Sequence, residues 1–248
     1  MKAALTAELR KFLTIRSTYV LTIFSLLLAG FVTFWAFGYK ASEGISLQSP
    51  DALANAAITA VMTTSIFTGI LAILHVCHEY RYNMINYTLT ASNSRLRVLA
   101  AKFAVITGYG ILVTAIAILF GMTLTPLGAS MGGHTMAPQT VDLWNVVWRS
   151  GAFLLGNLWL GLIIGFLTRS VVAAVASYFL ITPVEALIHN FLKVSTNYLP
   201  TSAQSQIVNP PTSPDIFSPL ASAGVFAIYL VIGIVISAIL FVRRDASS

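Results

Sequence analysis

The chain is 248 residues long, 57% hydrophobic and only 9% charged, against about 25% charged in ordinary soluble domains. So few polar side chains cannot cover a water-soluble fold of this length, which excludes a soluble globular protein and points to one embedded in lipid. The formal charge of +6 sits beside apolar runs, where basic residues set membrane orientation rather than mark a nucleic-acid partner, and the lone Cys77 excludes an internal disulfide framework.

The polar start contains Glu8, Arg10, Lys11 and Arg16. Leu5, Leu9, Phe12 and Leu13 recur there at helical spacing, so residues 1–18 read as an amphipathic helix lying in the membrane interface, with a frayed polar tail as the alternative. The apolar run that follows is longer than a removable signal sequence carries, and it is read as a true span. Roughly 20 apolar residues, each rising about 1.5 Å, cross a hydrocarbon core of about 30 Å. Six such runs follow in order: Tyr19 to Phe37, Ala54 to Val76, Leu99 to Leu124, Gly151 to Leu167, Val171 to Ile188 and Leu220 to Val242. The expected fold is all-α, a single polytopic transmembrane domain of six helices over 1–248, preceded by the interfacial helix. The long segment 189–219 carries Pro200, Pro210, Pro211, Pro214 and Pro219 among apolar residues, which suits a re-entrant piece packed on protein.

Charge orients these spans. With the N-terminus inside, Lys2, Arg10, Lys11, Arg16, Arg81, Arg95, Arg97, Lys102, Arg169, Arg243 and Arg244 fall on the cytoplasmic side, and only Lys40, Arg149 and Lys193 fall outside. That is a strong positive-inside bias. An even number of spans returns both termini to the cytoplasm.

The segment joining the second and third spans is the most informative. It opens Glu79-Tyr80-Arg81-Tyr82-Asn83-Met84 and continues through Tyr87-Thr88-Leu89. A small polar turn follows at Ser92-Asn93-Ser94, then Arg95-Leu96-Arg97 and Ala101-Lys102. Tyr80, Met84 and Tyr87 fall at i, i+4 and i+7, a stripe suited to a protein groove. Interfacial aromatics and headgroup-binding arginines are the plainer alternative. Glu79 is placed to meet a basic residue of a partner, or to pair locally with Arg81 or Arg95.

This stretch resembles the corresponding loop of ABC-2 type permeases, the membrane subunits of many ATP-driven exporters. The N-terminal helix is similar to that family's connecting helix, and the six-span layout and long last outer segment fit as well. The chain departs from many members at Asn83-Met84, where they carry a small residue, and at Ser92-Asn93-Ser94, where they carry a proline. The resemblance implies that residues 78–98 form a cytoplasmic coupling segment docking into an ABC ATPase. Glu79, Tyr80, Arg81, Met84, Tyr87 and Arg95, together with the short turn at Arg169, would transmit its motion. It also implies a transmembrane dimer with a second copy or a similar permease. No G-x-x-x-x-G-K-[ST] occurs in the chain, so ATP and Mg are expected on the partner ATPase. No cofactor is expected in this chain, and enzymatic activity is not expected of it alone.

Other groupings remain open. His75, Cys77, His78 and Glu79 cluster without the order of a zinc motif, and no metal is expected. Cys77 reads as a small buried residue. Gly161 and Gly165 allow close helix approach, read as packing within the chain. Asn157, Glu185, His189 and Asn190 are candidates for a translocation pathway or gate. For Glu185 the alternative is an outer-rim acid paired with Lys193. Asn86-Tyr87-Thr88 matches a glycosylation acceptor but falls on the cytoplasmic side. The reading that results is a permease subunit for ATP-driven export of a hydrophobic or amphipathic compound. Its expected home is a bacterial plasma membrane, with lipid all round. A non-transporting immunity, sensor or assembly protein on the same scaffold is the alternative.

Overall fold

A computed structural model of the protein describes residues 2–41, 47–82, 84, 94–192, 195–209 and 216–243. All regular structure among them is helical. Helix α1 spans Lys2–Thr14 and α2 spans Arg16–Phe31, continuing as a π-helix over Val32–Tyr39. Helix α3 is Ala52–Arg81, α4 is Arg95–Met131, α5 is Leu143–Thr168 and α6 is Val171–Leu192. A short helix α7, Pro200–Val208, precedes α8, Pro219–Arg243. Six of these, α2 with its π-helical extension and α3, α4, α5, α6 and α8, are long and apolar enough to cross a membrane.

The helices outrun the apolar runs that announce them. Helix α3 continues to Arg81 rather than stopping near Val76, so Glu79, Tyr80 and Arg81 stand on its last turn. Helix α5 starts at Leu143 rather than Gly151, because Asp142 caps it by accepting a hydrogen bond from the Asn145 backbone at 3.2 Å. Arg149 is therefore helical. Helix α4 has 37 residues, about 55 Å of helix, and so projects well past the hydrocarbon core.

Helices α3 and α5 form the centre. Their most apolar windows are 61% buried, against 11% for α6 at the rim. The two axes approach closely because both carry glycine at the crossing. A Cβ on Gly161 would collide with the Gly69 carbonyl oxygen, and one on Gly165 would press on Val76 at 3.2 Å. The G-x-x-x-G pair thus serves packing within the chain. Leu154, Leu158 and Leu162 line the buried face of α5, with Val61, Ala72 and Val76 from α3 in the same apolar core.

Helix α1 lies at the end of the bundle where α3 stops and α4 begins. It forms where the apolar spacing predicts a helix, but the four apolar residues do not share one face. Phe12 is buried, with its ring 5.3 Å from that of His75 and 4.9 Å from that of Tyr109. Leu5, Leu9 and Leu13 point outward. The inward side also carries Glu8, which packs among charges rather than apolar groups.

The crossing makes a direct expectation. Gly161→Ala should destabilise the protein by about 1–3 kcal/mol, because backbone cannot yield to the new methyl. Gly151→Ala meets open space in the same helix and should raise stability by about 0.5–1 kcal/mol through helix propensity. Paired thermal melts in one detergent read both signs.

Candidate functional site at the two ends of the bundle

At the α1 end, four charges close into an alternating ring. Lys11 Nζ lies 2.9 Å from Glu8 Oε1 and 2.9 Å from Glu79 Oε1. Lys102 Nζ lies 2.7 Å from Glu8 Oε2 and 2.9 Å from Glu79 Oε1. Three helices, α1, α3 and α4, each contribute at least one member. Lys102 is 0% exposed, Glu8 1% and Glu79 4%. A buried charge survives only with compensating partners, and here each carboxylate faces two ammonium groups. Glu79 also sits on the last turn of α3, where the helix dipole disfavours an acid, so its stability there depends on the lysines.

Burial works to raise the Glu8 carboxyl, but the His75 imidazole and the Lys102 and Lys11 ammonium groups outweigh it and hold it well below the usual carboxylate range. His75 Nε2 stands 3.6 Å from Glu8 Oε2, too far for a hydrogen bond, so the ammonium groups carry most of the effect. Burial works to lower Lys11, and Glu79 and Glu8 outweigh it, raising it above its ordinary 10.5.

The residues expected to couple to a partner fall around this ring. Glu79 faces inward. Its pairs are Lys11 and Lys102 rather than the expected Arg81 or Arg95, because the buried ammonium of Lys102 needs a counter-charge. Arg95 instead donates to the Phe241 and Val242 carbonyls at 3.2 and 3.0 Å, satisfying the C-terminal turn of α8. Tyr80 is half-buried beneath Arg169, whose guanidinium lies 5.0 Å from the ring centre. Arg169 links α5 to α6 in a left-handed conformation, φ 54°, a geometry that favours glycine. Arg81 and Met84 are exposed. Tyr87 lies outside the described residues.

At the opposite end, α7 is held by charges from two spans. Glu185 Oε1 accepts from the Thr201 backbone N–H at 2.7 Å. Its Oε2 accepts from the Thr201 hydroxyl at 2.7 Å and the Ser202 backbone N–H at 3.2 Å. Leu199, the N-cap residue of α7, makes no side-chain cap, so Glu185 of α6 caps it from outside. Arg149 of α5 donates to the Ile207 and Val208 carbonyls at 2.6 and 2.7 Å. A negative group thus meets the positive end of α7 and a positive group its negative end, both favourable to the helix dipole. Glu185 is committed to this cap, and Lys193 lies outside the described residues. Asn157 accepts from the Tyr178 hydroxyl at 2.7 Å and lines a cavity beside α7. His189 and Asn190 lie a turn beyond Glu185, exposed, and do not line that cavity.

Lys102, Glu8, Lys11, Arg149 and Tyr178 escaped the site reading of the sequence. The usable signal for Lys102 was its place at the head of an apolar helix, where an ammonium must find an acid.

The fold and these sites define a polytopic α-helical membrane protein with a packed charge cluster at one end. The family described as "ABC-2 family transporter protein" matches residues 4–201, which takes in α1 and five of the six spans. The chain belongs to that ABC-2 transporter family, whose permeases are typically non-enzymatic membrane subunits and whose membership implies association with an ABC ATPase subunit. No curated protein matches the chain.

Removing one member of the ring should cost more than removing an oppositely charged pair. Lys102→Met leaves Glu8 and Glu79 buried against a single ammonium, and should cost about 3–5 kcal/mol. Adding Glu8→Gln to that variant should recover part of the loss, and thermal melts of both variants decide it. The pH dependence follows from the two shifts. Glu8 is depressed, so its contribution is complete above 4.5, its ordinary value, and is lost only as pH falls through the lower folded value. Lys11 is raised, so its contribution is complete below 10.5 and is lost as pH rises through the higher folded value. A spin label at Leu9→Cys should keep constant mobility from about pH 5 to 10. Release of the label between pH 5 and 8 would contradict that assignment.

Proposed function

We propose that the protein is the permease subunit of an ATP-driven ABC-2 transporter that exports a hydrophobic or amphipathic compound. The observation that carries this reading is the surface at the α1 end of the bundle. Exposed Arg81 and Met84 stand at and just beyond the end of α3, with the Tyr80–Arg169 stack beside them. Behind them Glu79 ties the same turn to α1 and α4. A partner pressing on this turn would move three helices together, which is what coupling ATP binding to rearrangement of the spans requires. Glu79 acts in this scheme by positioning, while Arg81, Met84 and Tyr87 make the contact.

The positive-inside bias supports placing this end in the cytoplasm, in a plasma membrane, where a separate ABC ATPase binds ATP and Mg. The rim position of α6, and the windows of α2 and α8 that are only 22% buried, leave apolar faces for lipid and for a second permease copy. Few charges face the membrane interior, which suits an amphipathic cargo better than an ion.

The test is co-purification with the candidate ATPase, followed by ATP hydrolysis in lipid. Arg81→Glu combined with Met84→Ala should lower ATPase binding about tenfold or more, the loss of roughly 1.4 kcal/mol or more at a contact surface. The melting temperature should fall by only a few degrees, because both side chains are exposed and an acid at the surface on the last turn of α3 costs about 0.3–1 kcal/mol. Unchanged binding and unchanged hydrolysis would remove this surface from the coupling role. Failure of the unaltered chain to bind any ATPase would favour a non-transporting immunity, sensor or assembly role on the same scaffold.

A further inference from the structure

Helix α6 leans on α3 toward the α1 end, where Ala174, Val175 and Tyr178 pack with Ile73 and Cys77. Farther along, the space between α3, α5 and α6 opens into a cavity of about 360 Å³, bounded at the far end by α7. That volume is at the low end of the roughly 300–1,000 Å³ of small-molecule sites, room for a head group rather than a whole amphiphile.

The polar groups in the wall share one property. Most have already given their protons away. The Ser65 hydroxyl donates to the Met62 carbonyl at 2.7 Å, and the Tyr178 hydroxyl donates to Asn157. The Thr201 hydroxyl donates to Glu185, and the Gln204 amide N–H donates to the Phe153 carbonyl at 3.1 Å. What the Ser65, Tyr178 and Thr201 hydroxyls keep for a ligand is oxygen lone pairs, while Gln204 and Asn157, each with one amide N–H on the Phe153 carbonyl, keep one further N–H apiece. Gln204 is 4% exposed, so its amide is fixed rather than free to turn. No charged side chain lines the cavity among the described residues. Glu185, the nearest acid, has both oxygens committed to the α7 cap.

One side of the wall is apolar and half open. Ile66 of α3 is 45% exposed and Phe179 of α6 is 52% exposed, and both line the cavity. They flank an opening toward the lipid-facing surface. An acyl chain can lie there while a polar head sits inside.

We propose that this cavity binds the head group of an uncharged, hydrogen-bond-donating amphiphile, a polyol or an amide, with its tail lying out between Ile66 and Phe179. Anionic heads meet mostly lone pairs and find no cation among the described residues of the lining. Cationic heads find no counter-charge and pay full desolvation. Naming this amphiphile as the cargo rests on the permease reading; the binding itself does not.

The test uses the full chain in nanodiscs, without ATPase, and three photoactivatable probes with the same alkyl tail. One is a 1-O-alkylglycerol with two free hydroxyls, one is its di-O-methyl ether, and one is an alkyltrimethylammonium. The alkylglycerol should label peptides containing Ile66, Phe179 or Thr201–Ser205. The two other probes should label those peptides about five- to tenfold less, the effect of lost hydrogen bonds or an uncompensated charge. Thr182→Trp fills the cavity from an exposed position of α6 that the fold does not need. It should reduce alkylglycerol labelling about as much while the protein stays monodisperse. Equal labelling by the methylated or cationic probe, labelling spread evenly over the lipid-facing helices, or undiminished labelling of Thr182→Trp would each overturn the proposal. Labelling as expected in a chain that binds no ATPase would keep the site and remove the transporter reading. ATPase binding without labelling would remove the site alone.

Discussion

Two lysines and two glutamates in alternating order, all but Lys11 removed from water, fix the α1 end of this protein. Glu8, Lys11, Glu79 and Lys102 come from three helices and from positions as much as 94 residues apart. None of the fully buried members is tolerable alone, since an unpaired charge there costs several kcal/mol. That cost makes the ring a specification. Helix α1 can dock only where Lys102 and Glu79 wait for it, and α3 and α4 can meet only in the register that brings those two together. Phe12, set edge-to-face against His75 and Tyr109, adds apolar contact but no such selectivity.

The same constraint recurs at three further charges. Arg95 closes the last carbonyls of α8, and Arg149 and Glu185 close opposite ends of α7. In each case a side chain from one helix satisfies backbone groups at the end of another. Lipid supplies no hydrogen bonds, so helix ends at membrane depth must find them in the protein. The result is a bundle cross-tied at both ends. Its loosest packing lies in between, along the rim helix α6, and the cavity opens there.

The spans were legible because lipid-facing runs must be apolar and long. Charge asymmetry oriented them without reference to any contact. Helix ends were harder to see. Helices α3, α4 and α5 run beyond their apolar cores into polar residues, and only a cap such as Asp142 marks the true start. The ring was illegible for a different reason. Leu5, Leu9, Phe12 and Leu13 suggest one greasy face, yet Phe12 turns inward with Glu8 while the leucines turn out. Periodicity cannot report which of two adjacent faces finds a partner 94 residues away. In the sequence Lys102 is one more orienting charge, because its acid partners lie on two other helices. The sequence offers Glu185 as a pathway candidate or an outer-rim acid, but its use as an external helix cap depends on α7, a helix without a side-chain cap of its own.

The central claim is that the ring holds α1 against the end of α3 as one unit. It is tested most directly by a distance between spin labels at Leu9→Cys on α1 and Tyr82→Cys at the end of α3, both at exposed positions, with Cys77 replaced by alanine. The account predicts one narrow distance distribution in the otherwise unaltered protein and a broad one when Lys102 is replaced by methionine. A narrow and unshifted distribution without Lys102 would show that packing alone docks α1, and would contradict the account.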